Sequence, residues 1–199
     1  MMILEPLSDK APLSEKARAI AVAAIDAIHE RGLDRFKLTD VARKAGVTTG
    51  AVTYYFEDKD ALLLAAFDQT WQGLFSEIEA YDGGWELARF ERSLPVSPER
   101  QKGWSVWLAF CGRAQTSNAI NTHYRKAYAR LEELLIEAAQ HGEDDAARAD
   151  IRTVIAAMDG IGLCATLHPD LWPAERQRET LNIMVGALFD QRQVSGESQ

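Results

Sequence analysis

The sequence predicts an all-α protein of about nine helices, with a helix-turn-helix head at residues 1–60 and a helical bundle at residues 61–199. Apolar residues recur at helical spacing along nearly the whole chain, whereas the strict alternation of half-buried strands does not occur. Clusters of Gly, Pro, Ser, Asn and Asp separate the periodic segments. The segment 38–56 has the proportions of two short helices joined by a tight turn. These observations favour a helical head followed by a helical body.

The head begins with a helix whose start and end are both marked. Ser14 is a favourable N-cap with the acidic Glu15 behind it, and Gly32 suits the left-handed conformation after a helix end. Gly46 supplies the tight turn before the third helix, which begins at Thr48 or Thr49. The head helices are predicted at about 14–32, 38–45 and 48–55, and a fourth helix runs from about 58 towards 83.

The body is predicted to contain five further helices, separated by prolines and small polar residues. Its segment 154–167 is apolar nearly all round, and the last helix carries a stripe at i, i+3, i+4, i+7 spacing. A chain of this length has few other helices to bury these apolar faces, so we expect a second subunit to cover them in a homodimer through the last two helices. The predicted helices are 85–93, 98–116, 119–140, 146–167 and 174–191, and the expected interface residues are Leu181, Met184, Val185 and Leu188.

Length and composition exclude several classes of protein. The chain has 199 residues, with 47% hydrophobic and 26% charged residues, which is typical of a folded domain and not of a disordered chain. Its apolar runs are far shorter than the roughly 18 residues that cross a bilayer, and residues 1–16 lack the features of a signal peptide. We therefore expect a cytoplasmic protein without a membrane partner. The two cysteines, Cys111 and Cys164, are too few for a disulfide scaffold and are expected to be reduced.

The charge is unevenly distributed along the chain. The formal net charge is −8, yet residues 1–60 hold 9 Lys/Arg against 10 Asp/Glu. The segment 35–55 holds four basic residues, Arg35, Lys37, Arg43 and Lys44, against a single acidic one, Asp40. A small positive region on an acidic protein can approach a phosphate backbone through one face only.

The segment 38–56 carries the chemistry of a DNA reader. Short side chains on the outward front of the second of its helices can enter a major groove and contact base edges or a thymine methyl, while tyrosine hydroxyls and a lysine at a helix start suit phosphate oxygens. A pair of short core helices is the structural alternative. The predicted DNA-binding residues are Lys37, Thr39, Thr48, Thr49, Gly50, Ala51, Thr53, Tyr54, Tyr55 and Lys59.

Two other classes of function were weighed against DNA binding. An enzyme is disfavoured because the four histidines lie on unrelated segments, and the sequence has neither a phosphate-binding glycine loop nor ligands at metal-site spacing. No catalytic residue, metal or cofactor is therefore expected. The remaining alternative is a redox-responsive or interaction helical protein that uses Cys111 or Cys164 as a switch, which requires an exposed thiol beside positive charge.

At these residues the chain resembles the TetR family of bacterial transcriptional regulators. The resemblance rests on Ala45-Gly46-Val47-Thr48-Thr49-Gly50, on Tyr54-Tyr55-Phe56 and on Lys59. Lys37 replaces a capping Thr usual in the family, and Thr53 replaces a usual Tyr. Together with Trp107-Leu108-Ala109-Phe110 and Met158-Asp159-Gly160, the hydroxyl residue at 53 is similar to the BetI-like branch. The resemblance implies a homodimeric, ligand-responsive repressor of a palindromic operator.

An effector site in the body follows as an expectation. Aromatic side chains on several helices, together with one carboxylate, suit a cationic small molecule. Gly162 and Cys164 stand where the branch has a Trp and a basic residue, so both a cationic and an uncharged amphipathic effector remain open. The candidate ligand-binding residues are Trp71, Trp104, Trp107, Phe110, Cys111, Tyr128 and Asp159.

Overall fold

The computed structural model describes residues 12–81, 87–139 and 145–196, with side chains described throughout except at 87–88, 138–139 and 187–196. These residues form α-helices and contain no strand, which confirms the predicted fold class. The order of elements is α1 (Glu15–Arg35), α2 (Leu38–Ala45), α3 (Thr49–Tyr55), α4 (Lys59–Glu79), α5 (Leu87–Glu91), α6 (Pro98–Ala114), α7 (Asn118–Ala139), α8 (Asp145–Leu167) and α9 (Ala174–Gly196).

The chain packs into two compact units. The first consists of the described residues up to Gly73 together with Lys102–Ala129, and the second consists of Leu74–Gln101 with the described residues from Arg130 onward. Helices α4, α6 and α7 each contribute residues to both units. These units are defined by packing, so the functional division into a head at 1–60 and a body at 61–199 stays a prediction.

Helix α1 forms much of the core of the first unit. It begins as predicted, because the Ser14 hydroxyl accepts a hydrogen bond from the Ala17 backbone at 3.3 Å. Ile20, Ala24 and Ile28 are buried along one face at i, i+4 spacing. The predicted end at Gly32 is only a break: Gly32 has φ +71°, and helical residues continue to Arg35.

In the second unit, α8 and α9 pack against each other and cover the apolar faces that the sequence assigned to a dimer interface. Leu181 and Val185 of α9 are buried at 0% and 4% exposure within the single chain. The argument that they need a second subunit to cover them is therefore wrong. Met184, at 43% exposure, does face outward, while the side chain of Leu188 lies outside the described residues.

Polar contacts tie α5 to its neighbours in the second unit. The buried Arg89 guanidinium donates to the carbonyl oxygens of Ile78 and Tyr81 at 2.9 and 3.0 Å, next to the end of α4. Burial lowers the pKa of Arg89. Arg178 of α9 donates to the Glu91 carboxylate at 3.1 Å. These contacts fix a five-residue helix that is too short to be stable alone.

Candidate nucleic-acid interface

The two short helices α2 and α3 are held by a small apolar core. Val41 and Val52 are fully buried, and Ala42 and Phe56 are 4% exposed. Helices α1, α2 and α3 contact one another, so this core anchors the pair against the longer helix. The opposite face of α3 is left without a covering helix among the head elements, which is what a helix-turn-helix requires of its second helix.

The turn between α2 and α3 depends on Gly46. Its backbone is left-handed, with φ +65° and ψ 32°. The Val47 amide, one residue further on, donates to the Ala42 carbonyl at 2.9 Å and closes the end of α2. A residue with a Cβ is strained in this conformation, so the glycine sets the angle at which the chain enters α3.

Capping fixes the starts of both helices. The Thr48 hydroxyl accepts from the Ala51 amide at 3.1 Å, so α3 begins at Thr49 as the sequence predicted. Lys37 is the N-cap of α2 and cannot accept a hydrogen bond through its ammonium. The Asp40 carboxylate instead accepts from the Lys37 amide at 3.1 Å. One half of a capping box thus remains, and the Lys37 side chain is exposed.

The outward face of α3 is formed by Gly50, Thr53 and Tyr54, which follow one another at i, i+3, i+4 spacing and are all exposed. Tyr54 has 82% of its surface accessible, and its ring lies edge-on to Tyr55 at 5.1 Å between centroids. Thr49, Ala51 and Tyr55 flank this face and are partly exposed. Three of the six residues predicted to contact DNA on α3 therefore share one accessible side of the helix, and the other three lie at its edges.

The positive region around α2 is partly neutralised by ion pairs. Lys44 pairs with Glu30 of α1 at 2.6 Å, and Asp40 lies 3.5 Å from Arg31 and 4.0 Å from Arg43. Within the described residues, no ion pair involves Lys37, and Thr39 beside it is also exposed. Lys37 is consequently the predicted contact whose charge is most available to a phosphate group.

Lys59 has a structural role that the sequence did not reveal. Its ammonium donates to the carbonyl oxygens of Leu33 and Asp34 at 3.5 and 3.4 Å, at the end of α1. It also lies 4.6 Å from the centroid of the Phe36 ring. A cation stabilises the negative end of a helix, but the pairing joins residues 25 and 26 positions apart, and no local pattern signals it.

An aromatic cluster forms the centre of the first unit. Phe67 stacks on Phe110 at 3.9 Å and on Trp71 at 5.0 Å. Trp107 donates its indole N–H to the Tyr128 hydroxyl at 2.8 Å, and the Trp71 ring lies 5.2 Å from that of Tyr128. Four predicted effector residues, Trp71, Trp107, Phe110 and Tyr128, are thus brought together.

The remaining predicted effector residues are divided between the two units, with Trp104 and Cys111 in the first and Asp159 in the second. The Trp104 ring lies 4.8 Å from that of Trp107. Cys111 is partly exposed on the same helix, α6, and both cysteines are free thiols. Asp159, on α8, and Cys164 belong to the second unit.

Two polar pairs in the first unit were not predicted. His123 and Asp68 share a hydrogen bond of 2.5 Å, and the His123 ring lies within 6.0 Å of Phe67 and Phe110. The sequence shows His123 only as an isolated histidine. On α6, the Arg113 Nε lies 2.9 Å from both oxygens of the Asp60 carboxylate, which raises the pKa of Arg113. Both pairs join residues more than 50 positions apart, beyond the reach of helical spacing.

Neither metal nor membrane features occur in the described part of the chain. Its His, Cys, Asp and Glu side chains include no group of three able to hold a metal ion. None of its helices is long and apolar enough to cross a bilayer.

A helix-turn-helix with an accessible second helix, followed by a longer all-helical body, defines a DNA-binding regulator. Protein-family models of DNA-binding regulators match both the N-terminal and the C-terminal part of the chain. Residues 20–66 match the model of bacterial regulatory proteins of the tetR family, and residues 87–190 match the C-terminal model of BetI-type transcriptional repressors. The chain belongs to the TetR family of DNA-binding transcriptional regulators and is a repressor of the BetI type.

Relatives and solved structures are similar along most of the chain. The HTH-type transcriptional regulator BetI of Pseudomonas paraeruginosa is 27% identical over 178 residues, which are 85% of this chain and 89% of that protein. A transcriptional regulator of Rhodococcus sp. Rha1 has a TM-score of 0.80 at 26% identity, covering 89% of this chain and 97% of its own. A regulator of Saccharomonospora viridis, solved in complex with choline, has a TM-score of 0.71 at 23% identity over 87% and 97% of the chains.

The comparisons favour the regulator over the alternative functions considered from the sequence. Nothing in them supports a redox-responsive or interaction protein that switches through Cys111 or Cys164. The contacts of Lys59, Asp60 and His123, which the sequence did not predict, are packing contacts and do not affect the family assignment.

Proposed function

We propose that this repressor binds a palindromic operator as a homodimer and that a small organic effector controls its binding. It acts as a regulator and not as an enzyme. The observation that carries the proposal is the accessible face of α3, where Thr53 and Tyr54 are exposed beside the buried anchor Val52. A helix anchored on one side and open on the other can enter a major groove without unfolding its own core.

Within this interface the contacts divide by chemistry. Thr48, Thr49, Ala51 and Thr53 are short enough to approach base edges. The hydroxyls of Tyr54 and Tyr55 and the exposed Thr39 suit phosphate oxygens, which fix the position of the protein without specifying sequence. Lys37 and Lys59 add positive charge, although the Lys59 ammonium already contacts the end of α1. Gly50 places no side chain between the helix and the bases.

The dimer is proposed through α8 and α9, on a surface that differs from the one predicted. Leu181 and Val185 already belong to the protomer core. The second unit nevertheless leaves Leu167, Ile183 and Met184 exposed at 54%, 67% and 43%. Burying such residues in a second copy removes apolar surface from water, and a two-fold dimer matches a palindromic operator.

Oligomeric state tests this surface directly. Met184→Glu places a charge in the proposed interface, and we expect a shift from dimer to monomer in sedimentation at micromolar concentration. Val22→Glu is the matched control, because Val22 is similarly exposed, at 48%, on α1. A monomeric wild-type protein, or a Met184→Glu protein as dimeric as the control, contradicts the proposed dimer.

The effector is proposed to bind against the aromatic cluster of Trp71, Trp107 and Tyr128. Electron-rich ring faces attract cations, and the choline bound by the Saccharomonospora viridis regulator makes a quaternary ammonium the first class to test. The Asp68 carboxylate adds negative charge beside this cluster, because its partner His123 lies against Phe67, which stacks on Trp71. An uncharged amphipathic effector is the second class, since Gly162 replaces a ring that a cation cage would use.

The experiment has two stages. Selection from random duplexes identifies the operator, and choline is then titrated into the complex while DNA release and tryptophan fluorescence are followed. Release by choline with wild type, weakened at least tenfold in Trp107→Ala but unchanged in Trp172→Phe, supports the site. If choline has no effect, uncharged amphipathic compounds take its place in the same titration. An effector that releases Trp107→Ala protein with unchanged affinity places the site elsewhere.

A further inference from the structure

We propose that Thr53 recognises the 5-methyl group of thymine through its own side-chain methyl, and that Gly50 allows α3 to approach the base edges closely enough for this contact. The inference rests on the proposed placement of α3 in the major groove. It goes beyond that placement, because it assigns one base feature to one side-chain group and explains why a glycine lies in the first turn of α3.

The Thr53 hydroxyl is already used inside its own helix. Its Oγ1 donates to the Gly50 carbonyl at 3.1 Å and to the Thr49 carbonyl at 3.3 Å. Because a hydroxyl carries one proton, none remains for donation to a base acceptor such as the thymine O4. Thr53 is nevertheless exposed, so the group that it offers outward is its methyl.

Gly50 lies one helical turn before Thr53 on the same face, and nothing in the fold requires a glycine there. Its φ is not among the positive values, which occur at Gly32 and Gly46. A Cβ added at Gly50 has only the Thr48 Oγ1 within 4 Å, at an ordinary contact distance of 3.8 Å. Glycine is a poorer helix former than alanine, because more backbone freedom is lost when it folds. Alanine would fit at this position and would favour the helix, so the free protein gives no reason for a glycine. Close approach of α3 to a bound partner explains it.

The chemistry of the groove identifies the feature of the partner. In the major groove the thymine methyl is the apolar group that separates a thymine from a cytosine. The exposed face of α3 carries neither Arg or Lys for guanine nor Asn or Gln for adenine. Apolar contact with a thymine is therefore a discrimination that Thr53 can supply. Burial of one methyl group predicts a preference of about fourfold per half-site.

The test uses an operator selected from random duplexes and a copy in which deoxyuridine replaces each half-site thymine in turn. Uracil pairs as thymine does but lacks the methyl. We expect wild-type protein to bind about fourfold more weakly to the copy in which the contacted thymine is replaced. Replacement of any other thymine should leave the affinity unchanged. A pair of variants separates methyl from hydroxyl. Thr53→Val keeps the methyl and the preference for thymine over uracil, whereas Thr53→Ser keeps the hydroxyl and loses the preference. The opposite pattern, or half-sites without thymine, overturns the proposal.

Gly50 is tested against a matched glycine on another helix. Gly73 on α4 is also exposed and helical, and an added Cβ there has no atom within 4 Å. Both Gly50→Ala and Gly73→Ala are expected to raise the melting temperature. Gly50→Ala alone is expected to weaken operator binding at least tenfold. Equal binding by the two variants overturns the role of Gly50. A protein that selects no duplex refutes the proposed DNA recognition itself, whereas selection without the uracil effect refutes only this inference.

Discussion

The outward face of α3 and the aromatic cluster of the first unit differ in almost every physical respect. The face combines the exposed Tyr54 ring with Thr53, whose hydroxyl bonds to its own backbone, and with Gly50, where an added Cβ would fit. The cluster consists of large rings that stack and share hydrogen bonds, as between Trp107 and Tyr128. The first arrangement is open to solvent, whereas Phe67, Trp71 and Phe110 at the centre of the second are buried. Substitutions in the two regions should therefore affect different measurements.

The largest expected effect is the loss of a ring from the cluster. Phe110 is fully buried and stacks on Phe67 at 3.9 Å. Phe110→Ala removes this contact and leaves a cavity, so we expect the free energy of unfolding to fall by about 3–5 kcal/mol. Urea unfolding followed by circular dichroism measures it. Tyr54→Ala, which removes a ring of similar size from α3, is the control and should stay within about 0.5 kcal/mol of wild type. Equal losses would remove the distinction between the two regions.

The turn before α3 should give the next largest effect. Gly46→Ala forces an alanine into the left-handed conformation at φ +65°, at a cost of roughly 1–2 kcal/mol. Operator affinity should fall as well, because the turn sets the direction of α3. Gly46→Asn is the informative companion, since asparagine tolerates this conformation better and should lose less stability. Thermal unfolding and operator binding of both variants check this order. An alanine variant as stable as the asparagine variant would contradict it.

The hydrogen bond inside the cluster should contribute less. Trp107→Phe and Tyr128→Phe each remove one partner of the 2.8 Å bond from Trp107 to Tyr128. We expect each single variant to lose about 1 kcal/mol of stability. The double variant should lose less than the sum of the two, because the bond can be removed only once. Additive losses in urea unfolding would show that the two side chains contribute independently.

Lys59 combines a predicted DNA contact with a structural role, and the salt dependence of DNA binding can separate the two. A phosphate contact predicts that Lys59→Gln weakens binding to all sequences and reduces the salt slope by about 0.9 per half-site. Its bonds to Leu33 and Asp34 predict in addition a small loss of stability, of about 0.5–1.5 kcal/mol. Fluorescence anisotropy at several salt concentrations, with Lys37→Gln as the comparison, measures the slope. An unchanged slope would leave Lys59 with the structural role alone.

The smallest expected effect on the fold is that of Tyr54→Phe. Tyr54 is 82% exposed, so loss of its hydroxyl should leave stability within about 0.5 kcal/mol of wild type. Operator and unrelated duplexes should be bound more weakly by the same factor, because a phosphate contact carries no sequence information. Thr49 variants provide the contrast, with changed sequence preference at similar stability. A Tyr54→Phe protein that changes its preferred sequence would assign Tyr54 to the bases instead.

Local signals determined the starts and turns of the helices in the helix-turn-helix segment. The cap at Ser14, the left-handed Gly46 and the cap at Thr48 act within a few residues, so the sequence displays both partners of each interaction together. The predicted bounds of α2 agree with the structure for the same reason. The continuation of α1 beyond Gly32 departs from the local expectation, because a glycine with positive φ interrupts the helix without preventing its resumption.

Tertiary packing alone decided which distant residues meet. The sequence offered Trp71 and Phe110 as equal candidates on different helices, and packing brings them together around Phe67. It also buried Leu181 within its own chain instead of leaving it to a second copy. Helical periodicity specifies which residues share a face, but a face does not specify which other face covers it. That choice depends on the summed packing of whole helices, which no single window of sequence contains.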